Sequence, residues 1–519
     1  MADLVDARAD ESPDDLLFVD DQGRRMSCAE FQVASDRAAK RLAGLGVGPD
    51  SLVSWILPTS IEALVITVAL SRVGAVQNPI IPMYREREIG HILDEASIDA
   101  MIVVPNWADV DYKRMTETLS TDRGGVPVVW TVDEVLGESA SLERISSQRG
   151  AIQKPARWVF YTSGSSGVPK GCRHTDQTLL STASGMSRYL QMSAADRSGI
   201  AFPIAHIGGA VNLMAALLSG ATLILIERFS RDSIPVLADE KVTMAGSGTA
   251  FHLAYLEAQA VQPGQPIFPF LRCCPGGGAP KPPGLHERVK HELGGVGILS
   301  GWGLTEAPVL TMSRPQDPDE KLSDTEGTPL PGVAIRVVGP DGRQCEAGEP
   351  GELRVQAPQQ MLGYVNRQLD AEVFDEEGSL RTGDLGIVDP DGFVRITGRL
   401  KDVVIRNGEN VATAEVEELL RAHPDVTDAA VIGLPDPRTG ERVCAVIELT
   451  FHVRPLNVEL VGTYLEEAGL RRIAWPEQIE IVTSLPRNVA GKVDKSALKQ
   501  AFTPDADSAR RDDRVSGKP

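Results

Sequence analysis

The sequence predicts an α/β fold, with a large N-terminal α/β part, a β-rich segment and a small α+β part at the C-terminal end. Three observations carry this. Strand-like apolar runs alternate with runs of helical period up to about residue 310, the pattern of helices layered on a sheet. From about residue 325 to 400 the texture changes to short strands separated by Gly, Pro and Asp turns. Past Gly398 the pattern resets to a compact mix of helix and strand.

In order, residues 31–45 have helical spacing and stop at Gly46 and Gly48. Residues 51–57 read as strand, 61–73 as helix and 100–104 as strand. Residues 158–161 read as a short buried strand, and Leu179, Leu180, Ala183, Met186 and Leu190 mark a helix after it. Residues 222–226 and 242–245 are further strands. Gly339-Pro340-Asp341-Gly342 and Asp389-Pro390-Asp391-Gly392 read as hairpin turns. In the last part, 403–406 is a strand. Thr413 is placed to cap a helix with Val416, Leu419 and Leu420 facing inward, which Pro424 stops. Residues 429–434 and 443–449 flank a polar turn and should pair, and a helix at 458–470 and a strand at 479–482 complete the unit. The polar stretch after Ala501 is expected to be disordered.

A chain of 519 residues exceeds what one core supports and should divide into two or three domains. The hydrophobic fraction of 42% and charged fraction of 24% are those of a soluble globular protein. A net charge of -20 opposes non-specific binding to nucleic acid or membranes, while leaving room for a local basic pocket. The most apolar stretch, 61–76, carries Glu62 and Arg72 and reads as a buried helix, so no membrane span is expected. The six cysteines show neither paired spacing nor metal-ligand spacing with histidines, and the first 20 residues lack a signal pattern. A cytoplasmic protein is expected. The sequence leaves the oligomeric state open, a homodimer included.

The stretch Tyr161-Thr162-Ser163-Gly164-Ser165-Ser166-Gly167-Val168-Pro169-Lys170-Gly171 sits between the predicted strand and the predicted helix. Glycines let backbone come close to a ligand, and successive N–H groups with one lysine make a cradle for phosphate oxygens. A Gly/Ser linker is the plain alternative. The spacing is not that of P-loop NTPases, because Val168-Pro169 precedes the lysine and Gly171 follows it. Pro275-Gly276-Gly277-Gly278-Ala279-Pro280 is a second place where backbone can approach a flat ligand. Thr305 and Glu306, after Gly301-Trp302-Gly303-Leu304, suit one contact to Mg²⁺, which takes few protein oxygens; a helix start is the alternative. Arg381-Thr382-Gly383-Asp384 puts an acid in a glycine turn, suited to a ribose diol or simply to a turn. Arg399 and Lys401 lie at the change of texture, a candidate hinge or a solvated turn. Lys492 follows Gly491 on a loop, where a surface charge is the plain reading. His206, in an apolar stretch, is either a buried hydrogen-bonded imidazole or a gate to a pocket.

Taken together, TSGSSGVPKG, GGGAP, GWGLTEAP, RTGDLG, GRLKDVVIRNGENV and PRNVAGKV, in this order, resemble the adenylate-forming superfamily of acyl-CoA synthetases, luciferases and peptide-synthetase adenylation domains. The resemblance spans residues 30–500. It implies an N-terminal domain of two α/β subdomains plus a β subdomain (1–400), a small mobile α+β domain (401–502) and a tail (503–519). It implies that Thr162, Ser163, Gly164, Ser165, Ser166, Gly167 and Lys170 bind the ATP phosphates. Gly276, Gly277, Gly278 and Ala279 lie along adenine, with Trp302 and Gly303 also at the nucleotide. Thr305 and Glu306 take the α-phosphate and Mg²⁺, Asp384 the ribose with Arg399 nearby, and Lys401 is the hinge. Lys492 is the catalytic lysine, His206 gates the acyl pocket, and Gly408-Glu409-Asn410 is presented to the site during thioester formation. Ala490 and Val411-Ala412-Thr413 depart from the usual pattern at positions without charge chemistry.

The implied activity is an acid–thiol ligase that uses ATP, Mg²⁺ and coenzyme A on a fatty, alicyclic, aromatic or steroid-derived carboxylate. Gly208, Gly209, Gly246 and Gly248 suggest room for a bulky acyl group. Two alternatives stand beside it: a stand-alone adenylation enzyme that loads a carrier protein, and a nucleotide sensor without turnover. The presence of both Glu306 and Lys492 argues against the sensor.

Overall fold

The computed structural model describes residues 1–49, 51–137, 155–162, 169–246, 248–278, 281–406, 409–436, 438–450, 456–487 and 492–503. Ser163 to Gly167 of the glycine-rich loop, Ala279, Gly408, Ala490, Gly491 and residues 504–519 of the tail lie outside them, as do the side chains of Glu409 and Asn410. The architecture is the expected mix of α and β. The chain falls into two compact units: Met1–Arg336 with Arg354–Thr382 and Val388–Arg395, and Val337–Leu353 with Gly383–Ile387 and Ile396–Pro519.

The first unit holds two layered α/β sheets. In one, the strands run Met244–Ala245, Arg197–Ile200, Thr222–Leu225, Leu16–Asp20, Arg25–Ser27, all parallel except the last. In the other they run Lys170–His174, Trp158–Thr162, Val76–Pro79, Leu52–Ile56, Ala100–Val103, Val128–Thr131, parallel except for the first. Buried crossover helices explain why the parallel strands are apolar on both faces. The helix Ile61–Val73 is the clearest case: it is apolar nearly all round and buried from Ala63 to Leu70. Ser60 caps its start by accepting from the Ala63 N–H, and Gly74 ends it in the left-handed region at φ 78°. Trp55, Trp130 and Trp158 are the largest side chains fully buried in this unit. Each buried Leu, Ile or Val contributes about 1.5–3 kcal/mol against the entropy of ordering the chain.

A correction concerns the stretch after Trp158–Thr162. The sequence reads as strand, loop, helix. The structure inserts a strand, Lys170–His174, which returns antiparallel to the first, with Lys170 opposite Thr162. The helix starts only at Asp176, capped by Thr175. The glycine-rich loop therefore joins two strands, and no helix begins at its end.

A third sheet in this unit runs Cys274–Gly277, Ile298–Leu304, Ala307–Met312, Thr328–Pro329. Short strands and tight turns follow, as the sequence suggests. Gly342 donates to the Gly339 carbonyl and Gly392 to that of Asp389, both at 3.0 Å.

In the second unit, Val426–Asp436 and Gly440–Leu449 form the expected antiparallel pair, and Gln478–Val482 adds in parallel to the latter. The helices Thr413–Arg421 and Val458–Glu467 cover this sheet through Val416, Leu420, Val461 and Leu465. Thr413 is not the cap: Ala412 occupies that position, and the Thr413 hydroxyl accepts from Lys495 at 3.0 Å.

Candidate active site

Thr305 and Glu306 form the turn between Ile298–Leu304 and Ala307–Met312, where Leu304 pairs with Ala307. They do not start a helix. Glycine makes this hairpin possible: a Cβ on Gly303 would lie 2.3 Å from the Val309 nitrogen. His174 and Tyr364 brace the turn. His174 Nε2 lies 2.8 Å from the Thr305 carbonyl oxygen, which can only accept, so Nε2 carries the proton. Burial pushes this imidazole down to about 4, so it stays neutral near pH 7. The Tyr364 hydroxyl donates to Glu306 Oε1 at 2.7 Å, and the Met361 N–H donates to the Glu306 carbonyl at 2.8 Å. Burial first, and Glu306 second, raise the Tyr364 phenol above its ordinary value, which keeps it a donor.

Tyr364 is itself fixed against the strand Lys170–His174. Arg173 donates to the carbonyls of Tyr364 and Leu362 at 3.1 and 2.9 Å, and the Val365 N–H donates to the Gly171 carbonyl at 2.7 Å. Lys170 Nζ lies 5.6 Å from the centre of the Tyr364 ring. The structure thus brings Lys170 to the ring and Glu306 to the hydroxyl of one tyrosine. Just before Lys170, the Pro169 carbonyl accepts from His91 Nε2 at 3.0 Å.

Gly276 and Gly277 lie on the strand Cys274–Gly277, opposite Ser300 and Gly301. A Cβ at Gly277 would sit 2.5 Å from the Gly301 carbonyl oxygen, and one at Gly276 would sit 2.8 Å from His252 Cε1. At Gly278 nothing lies within 4 Å of that position. Beyond Cys274 and Pro275 the strand is glycine backbone, paired with the hairpin whose turn is Thr305 and Glu306. Trp302 is buried within that hairpin.

His206 is exposed, not buried. It caps the helix Ile207–Ser219, with Nδ1 accepting from the Gly208 N–H at 3.1 Å. His206 and Thr305 line one cavity together with Tyr84, Phe160 and Tyr161. Three of the four glycines expected to leave room, Gly209, Gly246 and Gly248, face close backbone. A Cβ on Gly209 would lie 1.9 Å from the Ile204 carbonyl oxygen, and those of Gly246 and Gly248 would lie 2.9 and 3.0 Å from the carbonyl oxygens of Pro275 and Gly277. They are packing glycines and carry no message about the acyl group.

The second unit holds the remaining candidates. Asp384 is not in a turn. It lies inside the long strand Leu380–Val388, just after Gly383, which takes a φ of 68° within that strand. Its carboxylate is buried and pairs with Arg399 Nε at 2.8 Å. Lys401 lies in the 3₁₀ turn Leu400–Asp402, and its amine is pushed below its ordinary value by burial first and by Arg399 second. Lys492 is half-buried, beside Val493, which forms an isolated bridge with Arg487.

Among the described residues no group of three or more His, Cys, Asp or Glu side chains could hold a metal ion. Glu306 with the Thr305 hydroxyl is a hard oxygen set of the size that Mg²⁺ uses when phosphate supplies the rest, so these residues fit that ion. No helix among the described residues is long and apolar enough to cross a membrane. Sequence reasoning missed His174 and Tyr364, for no spacing links Tyr364 to a partner 58 residues away.

Comparison with known proteins identifies the family. A family model described as AMP-binding enzyme matches residues 5–365, and one described as AMP-binding enzyme C-terminal domain matches residues 415–492. A salicyl-AMP ligase / salicyl-S-ArCP synthetase of Mycobacterium tuberculosis is 32% identical over 508 residues, spanning 93% of this chain and 87% of its own. A medium-chain fatty-acid–CoA ligase of Escherichia coli is 26% identical, spanning 96% and 90%. The o-succinylbenzoate CoA synthetase of Bacillus subtilis, solved with its acyl-adenylate, superposes with a TM-score of 0.83 at 27% identity, over 97% of this chain and 99% of that one. ATP-bound MatB from Rhodopseudomonas palustris superposes at 0.85 and 27%, over 96% and 99%. With family models matching both parts and relatives spanning nearly the whole length, the chain belongs to the AMP-binding enzymes, AMP-forming ligases of the adenylate-forming superfamily.

Proposed function

We propose that the chain is an ATP-dependent carboxylate–CoA ligase acting on a fatty, alicyclic, aromatic or steroid-derived acid. The observation that carries the reading is the braced turn. The Glu306 carboxylate accepts from the Tyr364 phenol, His174 holds the adjoining Thr305 carbonyl, and Lys170 lies over the same tyrosine.

A carboxylate is a poor acylating agent because oxide would have to leave. Its attack on the α-phosphorus of ATP forms a C–O–P link and expels pyrophosphate. The thiolate of CoA then attacks the acyl carbon; the S–C bond forms and AMP leaves with the electron pair of the broken C–O bond. In the first step two anions must meet. Lys170 and the loop around 162–170 hold the triphosphate, and Gly276, Gly277, Gly278 and Ala279 lie along the base, with Trp302 and Gly303 behind. Thr305 reaches the α-phosphate, and Asp384 with Arg399 holds the ribose. Glu306, with the Thr305 hydroxyl, would hold Mg²⁺, which would supply charge neutralisation when the anions meet. Lys492 places its ammonium on the oxygens where negative charge develops. His206 stands at the entrance to the acyl pocket. Lys492 would obstruct the thiol, so we infer a small domain of residues 401–502 that turns about Lys401 between the steps, followed by a tail at 503–519.

A second reading has one specific observation in its favour. The relative at 32% identity is named for loading a carrier protein as well as for adenylation. The discriminating experiment incubates the chain with ATP, MgCl₂ and a panel of octanoate, cyclohexanecarboxylate, benzoate, salicylate and a bile acid, with and without CoA. CoA-dependent AMP release with a thioester of matching mass is the expected result. Pyrophosphate release with retained acyl-adenylate, discharged only by an added carrier protein, favours the second reading. No pyrophosphate from any acid counts against both.

A further inference from the structure

The segment that carries Lys492 is tied at both ends into one ring of ion pairs that the chemistry above does not use. On the upstream side, Arg487 Nη2 donates to Asp428 Oδ2. Asp428 Oδ1 accepts from Arg421 Nε at 2.8 Å, and Arg421 Nη2 lies 3.4 Å from Glu417 Oε2. On the downstream side, Lys495 Nζ pairs with Glu417 Oε1 at 2.7 Å. The backbone closes the ring, since the Asp494 N–H donates to the Pro486 carbonyl at 2.8 Å and Arg487 bridges Val493.

Glu417 is where the two arms meet, and it is the most enclosed acid of the ring, with its side chain 8% exposed. Its Oε1 also accepts from the Val431 N–H at 2.8 Å, and Arg421 also holds the Ala429 carbonyl at 2.8 Å. Both contacts fix the ring to the strand Val426–Asp436. Lys495 opens the helix Lys495–Phe502, whose Leu498 is buried against the same strand through Ala430, Ile432 and Leu434. The arm also reaches the turn that contains Lys401, because Lys495 Nζ lies 3.7 Å from Asp402 Oδ2. An enclosed acid that holds two cations and a peptide N–H fixes geometry in a way that an exposed pair does not. Fixed geometry is what a long, flexible catalytic side chain needs, for a misplacement of about 1 Å can cost about 10² in rate.

We propose that Glu417 is a positioning residue for Lys492, acting through Lys495 on one side and through Arg421, Asp428 and Arg487 on the other. The proposal rests on the reading of Lys492 as the lysine of the first half-reaction. It implies a selective defect, because thioester formation does not use that lysine. In Glu417→Gln, assayed in the full chain with whichever panel acid is turned over, the kcat for pyrophosphate formation should fall about 10- to 100-fold. The KM for ATP and the rate of thioester formation from CoA and the pre-made acyl-adenylate should stay within about twofold of wild type. Lys495→Met and Asp428→Asn, which open the ring on either side, should give the same split and carry the test if Glu417→Gln does not fold. Lys495→Arg, which keeps the charge, should recover most of the adenylation rate. A substrate-free readout accompanies these: amide exchange at Val493 and Asp494 should quicken at least about tenfold in Glu417→Gln, with Val461 and Leu465 unchanged. Parallel loss of both half-reactions, adenylation within twofold of wild type, or unchanged exchange overturns the proposal. Lys492→Ala, run alongside, separates the two claims. If it splits the half-reactions and Glu417→Gln does not, only the ring's role is lost. If it spares adenylation, the reading of Lys492 goes and the proposal with it.

Discussion

Glu306 and Lys492 are held by different forces. Around Glu306, in the first unit, the braces are neutral: a phenol on the carboxylate and a buried imidazole on the adjoining carbonyl. Burial keeps the phenol protonated and the imidazole unprotonated near neutral pH. Around Lys492, in the second unit, the braces are ion pairs among Arg487, Asp428, Arg421, Glu417 and Lys495. On the proposed reading the first brace lies next to a polyanion and does best without net charge, because a fixed cation would be drawn to the phosphates and a fixed anion would repel them. If Lys492 serves one step only, as proposed, its segment needs stiffness, and opposite charges supply that without a large core.

The comparison breaks most sharply at Glu306. Glu306→Gln keeps the shape and removes the charge, and adenylate formation, read as pyrophosphate release, should fall by about 10²–10³ with the melting temperature little changed. A loss under tenfold would remove Glu306 from the machinery.

The neutrality of the first brace sets the next effect, which lies in the pH dependence of stability. His174 and His252 are both buried, and burial lowers each from 6.5 to about 4. As pH falls, the unfolded chain takes up these protons before the folded one does. The stability is therefore complete above pH 6.5, erodes between 6.5 and 4, and levels off below, by roughly 3 kcal/mol per imidazole. In urea titrations the loss between pH 7 and pH 5 should be about 2 kcal/mol smaller in His174→Gln than in wild type. An unchanged pH dependence would mean that the imidazole is already charged in the fold.

The smallest expected effect is at Tyr364. Tyr364→Phe removes only the hydrogen bond to Glu306, and pyrophosphate formation should fall about tenfold, in keeping with one bond to a charged group. Full activity would show that the carboxylate is held without it.

These forces differ in how far the sequence reveals them. Periodicity is local, so the helix Ile61–Val73 and the pair Val426–Asp436 and Gly440–Leu449 are readable from their own residues. The glycine-rich and acidic motifs are readable too, because small residues and lone carboxylates stand out. The strand Lys170–His174 is hidden because Gly171, Cys172, Arg173 and His174 show no alternation, and its pairing comes from its neighbour. Asp384 reads as a turn residue because it follows a glycine, but Gly383 takes its positive φ inside a strand. Thr413 reads as a cap because a hydroxyl before a helix normally is one; here the hydroxyl faces Lys495, far along the chain. For His206 the apolar neighbours leave a buried imidazole and a pocket gate both open, and its exposed place at the start of a helix removes the first. Tyr364 could not be found at all, since its meaning lies in a contact that only the fold creates.

On the proposed reading, Lys492 serves the first half-reaction and is idle in the second. That assignment is tested most directly with Lys492→Ala, by measuring pyrophosphate formation from ATP and the accepted acid beside thioester formation from the pre-made acyl-adenylate and CoA. Background pyrophosphate formation with thioester formation near the wild-type rate is expected. Equal loss of both rates, or adenylation that survives, would contradict it.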